Sequence, residues 1–201
     1  STTLYNVLLF DEIKASDAII ATEAGFDLLP SNIDLAAGEF DLKQRMASEQ
    51  VLRFKLSFVE DNYDYILLDC PPSLGVLTVS AFNFASEVLI PMSTEQMALR
   101  GLQMLVQTIE KVRSYLNPDL QILGVLPTRY RAQTVAAREV METLKAATKA
   151  SGVRLFGLPI KESVRFTESP SARKPMVLFD PTHEGSKGYM EAANEILETH
   201  A

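Results

Sequence analysis

A single cysteine, two histidines and no tryptophan occur among the 201 residues. One thiol excludes a disulfide framework within the chain, and Cys70, His183 and His200 are too few ligands for a Cys/His zinc site. No histidine neighbours Cys70 in sequence, so it reads as an inert strand-end thiol rather than a catalytic nucleophile. No apolar run approaches the ~18 residues of a membrane span, and no charged-then-apolar leader opens the chain. Together these absences place the protein in a reducing, cytoplasmic setting. The remaining composition, 47% hydrophobic and 22% charged with nine glycines and ten prolines, excludes collagen-like, low-complexity and wholly disordered chains. The length suits a single domain over 1–201 with a substantial core.

Positive charge is also scarce overall, with a net charge of −7, which argues against nucleic acid as a partner until its distribution is considered. Residues 1–99 carry 5 basic and 15 acidic side chains, a net of −10; residues 100–175 carry 13 and 6, a net of +7; residues 176–201 carry 1 and 5, a net of −4. A basic stretch inside an acidic chain is either an electrostatic footprint for a polyanion or a set of solvated helix faces.

Short apolar runs alternate with longer amphipathic stretches. The runs are Phe26–Pro30, Tyr65–Asp69, Glu87–Met92, Gln121–Leu126, Val153–Leu158 and Pro175–Phe179. Most are continuously hydrophobic, as strands buried on both faces are. Apolar spacings of three and four predict a helix over 94–117, with Ser93 and Gln96 placed for a capping box and Asn117-Pro118 closing it. Similar patterns predict helices over 134–150, about 187–198 and 41–60. This alternation predicts an α/β fold, a mainly parallel sheet with flanking helices. Gly185 and Gly188 near the last helix read as a turn rather than a phosphate cradle.

The most informative stretch is YDYILLDCPPS, residues 63–73. An apolar strand delivers Asp69 to its carboxyl end, where ligands of open α/β sheets bind. A carboxylate there can hold hydrated Mg²⁺ beside nucleotide phosphates. Pro71 and Pro72 then stiffen the exit. A strand ending in an ordinary Asp-Pro turn is the alternative.

YDYILLDCPPSLGVLT resembles the Walker B and switch region of the deviant Walker A partition ATPases, the ParA, Soj and MinD family. TLYNVLL at 3–9, FDLLPS at 26–31 and DLAA at 34–37 resemble that family in order. So do VLIP at 88–91 with 95–101, ILGV at 122–125, ESPSARKP at 168–175 and the FDP, Gly185 and Gly188-Tyr189 run into the last helix. The resemblance is nearest to ParA and Soj. It implies a P-loop NTPase-like fold of the SIMIBI type, ATP and Mg²⁺ as family cofactors, and Asp69, Pro71, Pro72, Thr128 and Pro159 beside the nucleotide, Asp69 reaching Mg²⁺ through water. It also implies nonspecific DNA, a ParB-like adaptor and a second copy of the chain as partners, with a cytoplasmic, nucleoid-associated location. Arg129, Arg131, Lys161, Arg165, Arg173 and Lys174 are the matching DNA-contact candidates.

Two family features are absent from the 201 residues: the GxxxxGK[ST] loop, whose backbone N–H groups and lysine cradle phosphates, and the following strand with its aspartate motif. By comparison with the family the sequence starts roughly sixty residues late, as a fragment or as a shortened relative. It is therefore expected not to hydrolyse ATP by itself, and a sheet lacking its P-loop strand is expected either to close up or to dimerise. Pro159-Ile160-Lys161 also departs from the family's Pro-Arg-Asn at the base loop. Two relatives of this fold are disfavoured. The acidic C-terminal segment is unsuited to anionic lipid, so no membrane partner is expected. Cys70 alone cannot supply the shared cluster of the iron-protein branch. A non-enzymatic relative that binds DNA or a partition partner without turnover remains the second possibility.

Overall fold

Short helices dominate the first half of the computed structural model, which describes residues 2–200. The chain divides into two units: residues up to Ser86 with Thr108–Leu120, and Glu87–Gln107 with Gln121 onward.

In the first unit, α1 (Leu4–Leu9) is capped by Thr3, whose N–H donates to Asn6 Oδ1 at 2.9 Å. This satisfies one of the donors a helix start leaves unpaired. A two-residue hairpin follows, β1 (Ile20–Ala21) antiparallel to β2 (Asp27–Leu28). Its loop holds Gly25 at φ +88°, where a side chain would be strained. Helices α2 (Asp34–Lys43), α3 (Val51–Leu56) and α4 (Val76–Phe84) complete the unit. Val7, Leu8, Leu42, Leu52, Leu56 and Ala81 form its core. Lys55 is buried there, and its ammonium is satisfied by the carbonyls of Phe10 at 2.9 Å and Asp11 at 3.4 Å. The Asn117 amide donates to the carbonyls of Phe82 and Ala85, at 2.9 and 2.7 Å, which ties down the end of α4.

The second unit carries the parallel sheet. β3 (Glu87–Ser93) pairs in parallel with β4 (Gln121–Thr128). The extended segment 153–162 lies along the other side of β4, with parallel bridges Val125–Leu155 and Tyr130–Lys161. α5 (Gln96–Tyr115) connects β3 to β4, and its residues from Thr108 belong to the first unit. α6 (Val135–Ser151) opens on Thr134, whose hydroxyl accepts from Ala137 N at 3.3 Å, and closes on Gly152 at φ +69°. α7 (Arg165–Ser171), α8 (Met176–Phe179) and α9 (Glu184–Thr199) follow. Leu126, Phe156, Ile160 and Ala192 are packed together beneath the sheet. Gly124 permits that packing: a Cβ there would lie 2.8 Å from the Phe156 ring and 2.9 Å from the Arg154 carbonyl.

Four expectations are corrected. Pro175–Phe179 is not a strand; its last four residues form α8, because Pro175 sets a helix-compatible φ of −56° and gives up no needed N–H at a helix start. The helix expected over 41–60 is broken, since Ala47 adopts φ +53° between α2 and α3, and left-handed backbone cannot continue a right-handed helix. Tyr65–Asp69 is extended but belongs to no ladder among the described residues. Leu68 and Cys70 pack on the first unit's core while Leu67 is 92% exposed. Phe26–Pro30 contributes two paired residues rather than a full strand.

Candidate functional site

Alternation along an extended chain turns successive side chains to opposite sides. In 67–70 it sends Leu68 and Cys70 toward the core and Leu67 and Asp69 toward solvent. Pro71, Pro72 and Ser73 are exposed beyond them, and the Thr78 hydroxyl donates to the Ser73 carbonyl at 2.6 Å, anchoring the exit to α4. Burial, with a smaller contribution from the Asp69 charge, pushes the Cys70 thiol up, so it is held in its less nucleophilic form. Asp69 thus stands as an exposed carboxylate, and no group of three or more His, Cys, Asp or Glu placed to hold a metal occurs among the described residues.

The remaining expected residues lie in the second unit, at and beyond the carboxyl end of β4. Thr128 is half-buried, and its carbonyl accepts from Thr94 N at 3.2 Å. Pro159 is half-buried one step before Ile160, whose N–H donates to the Pro127 carbonyl at 2.8 Å. The backbone pairing continues past the strand: Tyr130 N donates to the Ile160 carbonyl at 3.0 Å, and Glu162 N to the Tyr130 carbonyl at 3.2 Å. Since Tyr130 is bridged to Lys161, their successors Arg131 and Glu162 fall on one side of the ladder. There Arg131 Nε donates to Glu162 Oε2. Arg129, held at φ +51°, brings its guanidinium to 3.7 Å from Glu162 and 4.0 Å from Glu95.

Lys161 instead meets Glu184 at the start of α9, Nζ to Oε2 at 2.7 Å. Arg165 pairs with Glu168 at 2.7 Å and Asp180 at 3.0 Å, and its guanidinium lies over the Phe179 ring, 4.8 Å from the centroid. Arg173, at φ +53°, and Lys174 are exposed on the loop after α7 and form no ion pair among the described residues.

These contacts move the titrations in the directions expected of ion pairs. The hydrogen bond from Arg131 holds the Glu162 carboxyl below the usual range against the opposing effect of burial, with the Arg131 and Arg129 charges adding to the lowering. Glu162 in turn raises Arg131. Lys161 lowers Glu184, and Glu168 ahead of Asp180 raises Arg165. The cavity beside this cluster, about 180 Å³, is lined by Tyr130, Arg131, Ala132, Gln133, Lys161 and Glu162. It is smaller than an ordinary nucleotide-sized pocket of ~300–1,000 Å³, and charged rather than apolar.

Asp69 belongs to no group of three or more His, Cys, Asp or Glu among the described residues, and neither Thr128 nor Pro159 lines the small charged cavity. Thr128, Pro159, Arg129, Arg131 and Lys161 do converge in one region of the second unit. Asp69, Pro71 and Pro72 belong to the first. Sequence reasoning named the cations and missed the acids that occupy them, Glu95, Glu162 and Glu184. Glu162 directly follows Lys161, but its pairing with Arg129 and Arg131 arises only from the ladder register.

The sequence family described as an AAA domain matches residues 1–122. An uncharacterized protein of Mycobacterium tuberculosis is 40% identical over 98% of this chain, which spans 61% of that relative's length. The sporulation initiation inhibitor protein Soj of Bacillus subtilis is 38% identical over 96% of this chain and 75% of its own length. The chromosome partitioning protein ParA of Caulobacter vibrioides is 39% identical over 98% of this chain and 73% of its own.

Among solved structures, cobyrinic acid a,c-diamide synthase from Mycobacterium smegmatis, with bound ATP analog and magnesium, superposes with a TM-score of 0.80. It is 32% identical, over 98% of this chain and 71% of that one. Apo McdA from Cyanothece is 19% identical with a TM-score of 0.84, over 96% and 77% of the two chains, and shows the fold alone.

Proposed function

The chain belongs to the partition ATPase family of ParA and Soj, with the P-loop NTPase-like α/β fold, and from that premise we propose that it is a DNA-partition protein whose second unit holds duplex DNA by its phosphates. The observation that carries this reading is the gathering of Arg129, Arg131 and Lys161 where β4 ends, on a backbone ladder that fixes their spacing. Arg165 on α7 and Arg173 and Lys174 on the loop after it add three cations in the same unit. Long cations presented from ordered backbone suit phosphate contacts, which position a duplex without reading its sequence. A net of +7 over 100–175 supports such binding despite the acidic whole.

A ParB-like adaptor, a second copy of the chain, ATP with Mg²⁺, and a cytoplasmic position on the nucleoid belong to the proposal through the family alone. No helix among the described residues is long and apolar enough to cross a membrane.

Fluorescence anisotropy with a labelled duplex of arbitrary sequence tests the proposal. If about three cations reach phosphates, affinity falls on the order of tenfold to a hundredfold between about 50 and 200 mM salt. It should change little when the duplex sequence is scrambled. Absence of salt-sensitive binding, both in the parent and in a variant with Glu162 and Glu184 neutralised, overturns the DNA reading.

A further inference from the structure

We propose that Glu162 and Glu184 are an internal anion gate on the basic surface of the second unit, occupying the cations that a phosphate backbone must reach. The inference rests on the DNA reading and adds a regulatory layer to it.

Arg129 and Arg131 both meet Glu162, and Lys161 meets Glu184 at 2.7 Å. Each carboxylate sits where a phosphate oxygen would, accepting from the nitrogen that would donate to DNA. The arrangement follows from the backbone: the Tyr130–Lys161 bridge puts Arg131 and Glu162 in step, while Lys161 is directed to the first turn of α9. Glu95, 4.0 Å from Arg129, gives this cluster a third acid, so three cations face three carboxylates. Arg173 and Lys174, by contrast, are exposed with no acid partner among the described residues.

All the gating pairs are solvent-exposed; the Lys161 and Glu184 side chains are 46% and 67% accessible. Exposed pairs are weakly held and screened by salt. A polyanion can therefore displace the glutamates, whereas isolated small anions compete poorly with a tethered carboxylate at high effective concentration. Each displaced glutamate must recruit a counterion of its own, which cancels part of the entropy gained as DNA sheds counterions. The gate thus weakens binding and flattens its salt dependence, leaving Arg173 and Lys174 as the first contacts.

The test compares the full chain with Glu162→Gln, Glu184→Gln and the double variant, using the labelled duplex at about 50 and 200 mM salt. Glutamine keeps the shape and a hydrogen-bonding carbonyl while removing the charge, and thermal melts followed by circular dichroism confirm folding. Glu142→Gln, which removes an acid paired with Lys145 on α6, controls for net charge alone. The double variant is expected to bind roughly threefold to thirtyfold more tightly, with a log–log salt slope steeper by about one to two; Glu142→Gln is expected to match the parent.

Binding by the double variant alone, with the parent silent, also supports the gate. If the parent binds in a salt-sensitive way and the double variant is no tighter than Glu142→Gln, the gate is overturned and the DNA reading stands. If neither parent nor double variant binds at the lower salt, both fail.

Discussion

Glu162 concentrates much of the chemistry of the second unit in one side chain. It accepts from Arg131, lies 3.7 Å from Arg129 and closes the ladder through its own N–H to the Tyr130 carbonyl. Its carboxyl is held below the ordinary range in the folded chain, chiefly by the Arg131 hydrogen bond. A group whose folded value is depressed adds stability above its unfolded value, near 4.3 for glutamate, and loses it as pH falls through the folded value. Melting temperatures of the parent and Glu162→Gln should therefore differ at pH 7, with the parent higher, and converge below about pH 4. A gap that persists at pH 3 would mean that packing, not charge, is what the substitution removes. Because the pair is exposed, the gap at pH 7 should also shrink in high salt.

At the scale of elements, the segment through Tyr65–Asp69 is the exception among the apolar runs. Its composition is that of a buried strand, yet it joins no ladder among the described residues, and Leu67 is 92% exposed. A large apolar side chain exposed on an extended segment favours association. Light scattering should show the chain self-associating as concentration rises. Leu67→Lys should reduce that association and leave the melting temperature within about 2 °C, since Leu67 adds little to the core. A parent that stays monomeric at all concentrations would remove this role from the segment. The break at Ala47 and the conversion of Met176–Phe179 to α8 are smaller departures of the same kind, in which local backbone geometry overrode hydrophobic pattern.

For the whole molecule, the division of charge matters more than its sum. The overall −7 conceals a stretch of +7 that folds almost entirely into the second unit. Part of that excess is then neutralised where it lies, by Glu162 and Glu184. Asp69, the carboxylate expected to reach Mg²⁺, belongs to the first unit and to no group of three or more His, Cys, Asp or Glu among the described residues. Calorimetric titration of the 201-residue chain with Mg²⁺ and ATP should accordingly show no saturable binding up to about 1 mM. A micromolar isotherm would show that the residues present suffice for the nucleotide.

The sequence by itself determined the α/β class, the ordered family motifs, strands β3 and β4 and helices α5, α6 and α9, each within a few residues. These have the longest and most regular hydrophobic periods, and periodicity is a local property. The basic region was legible for the same reason, as a count. Tertiary structure alone decided that Tyr65–Asp69 joins no ladder among the described residues, because strand pairing depends on a second segment that no local pattern names. It also decided that Arg129, Arg131 and Lys161 are already occupied: their acids lie up to 34 residues away in sequence, as Glu95 does from Arg129, and meet them only through strand register and the approach of α9.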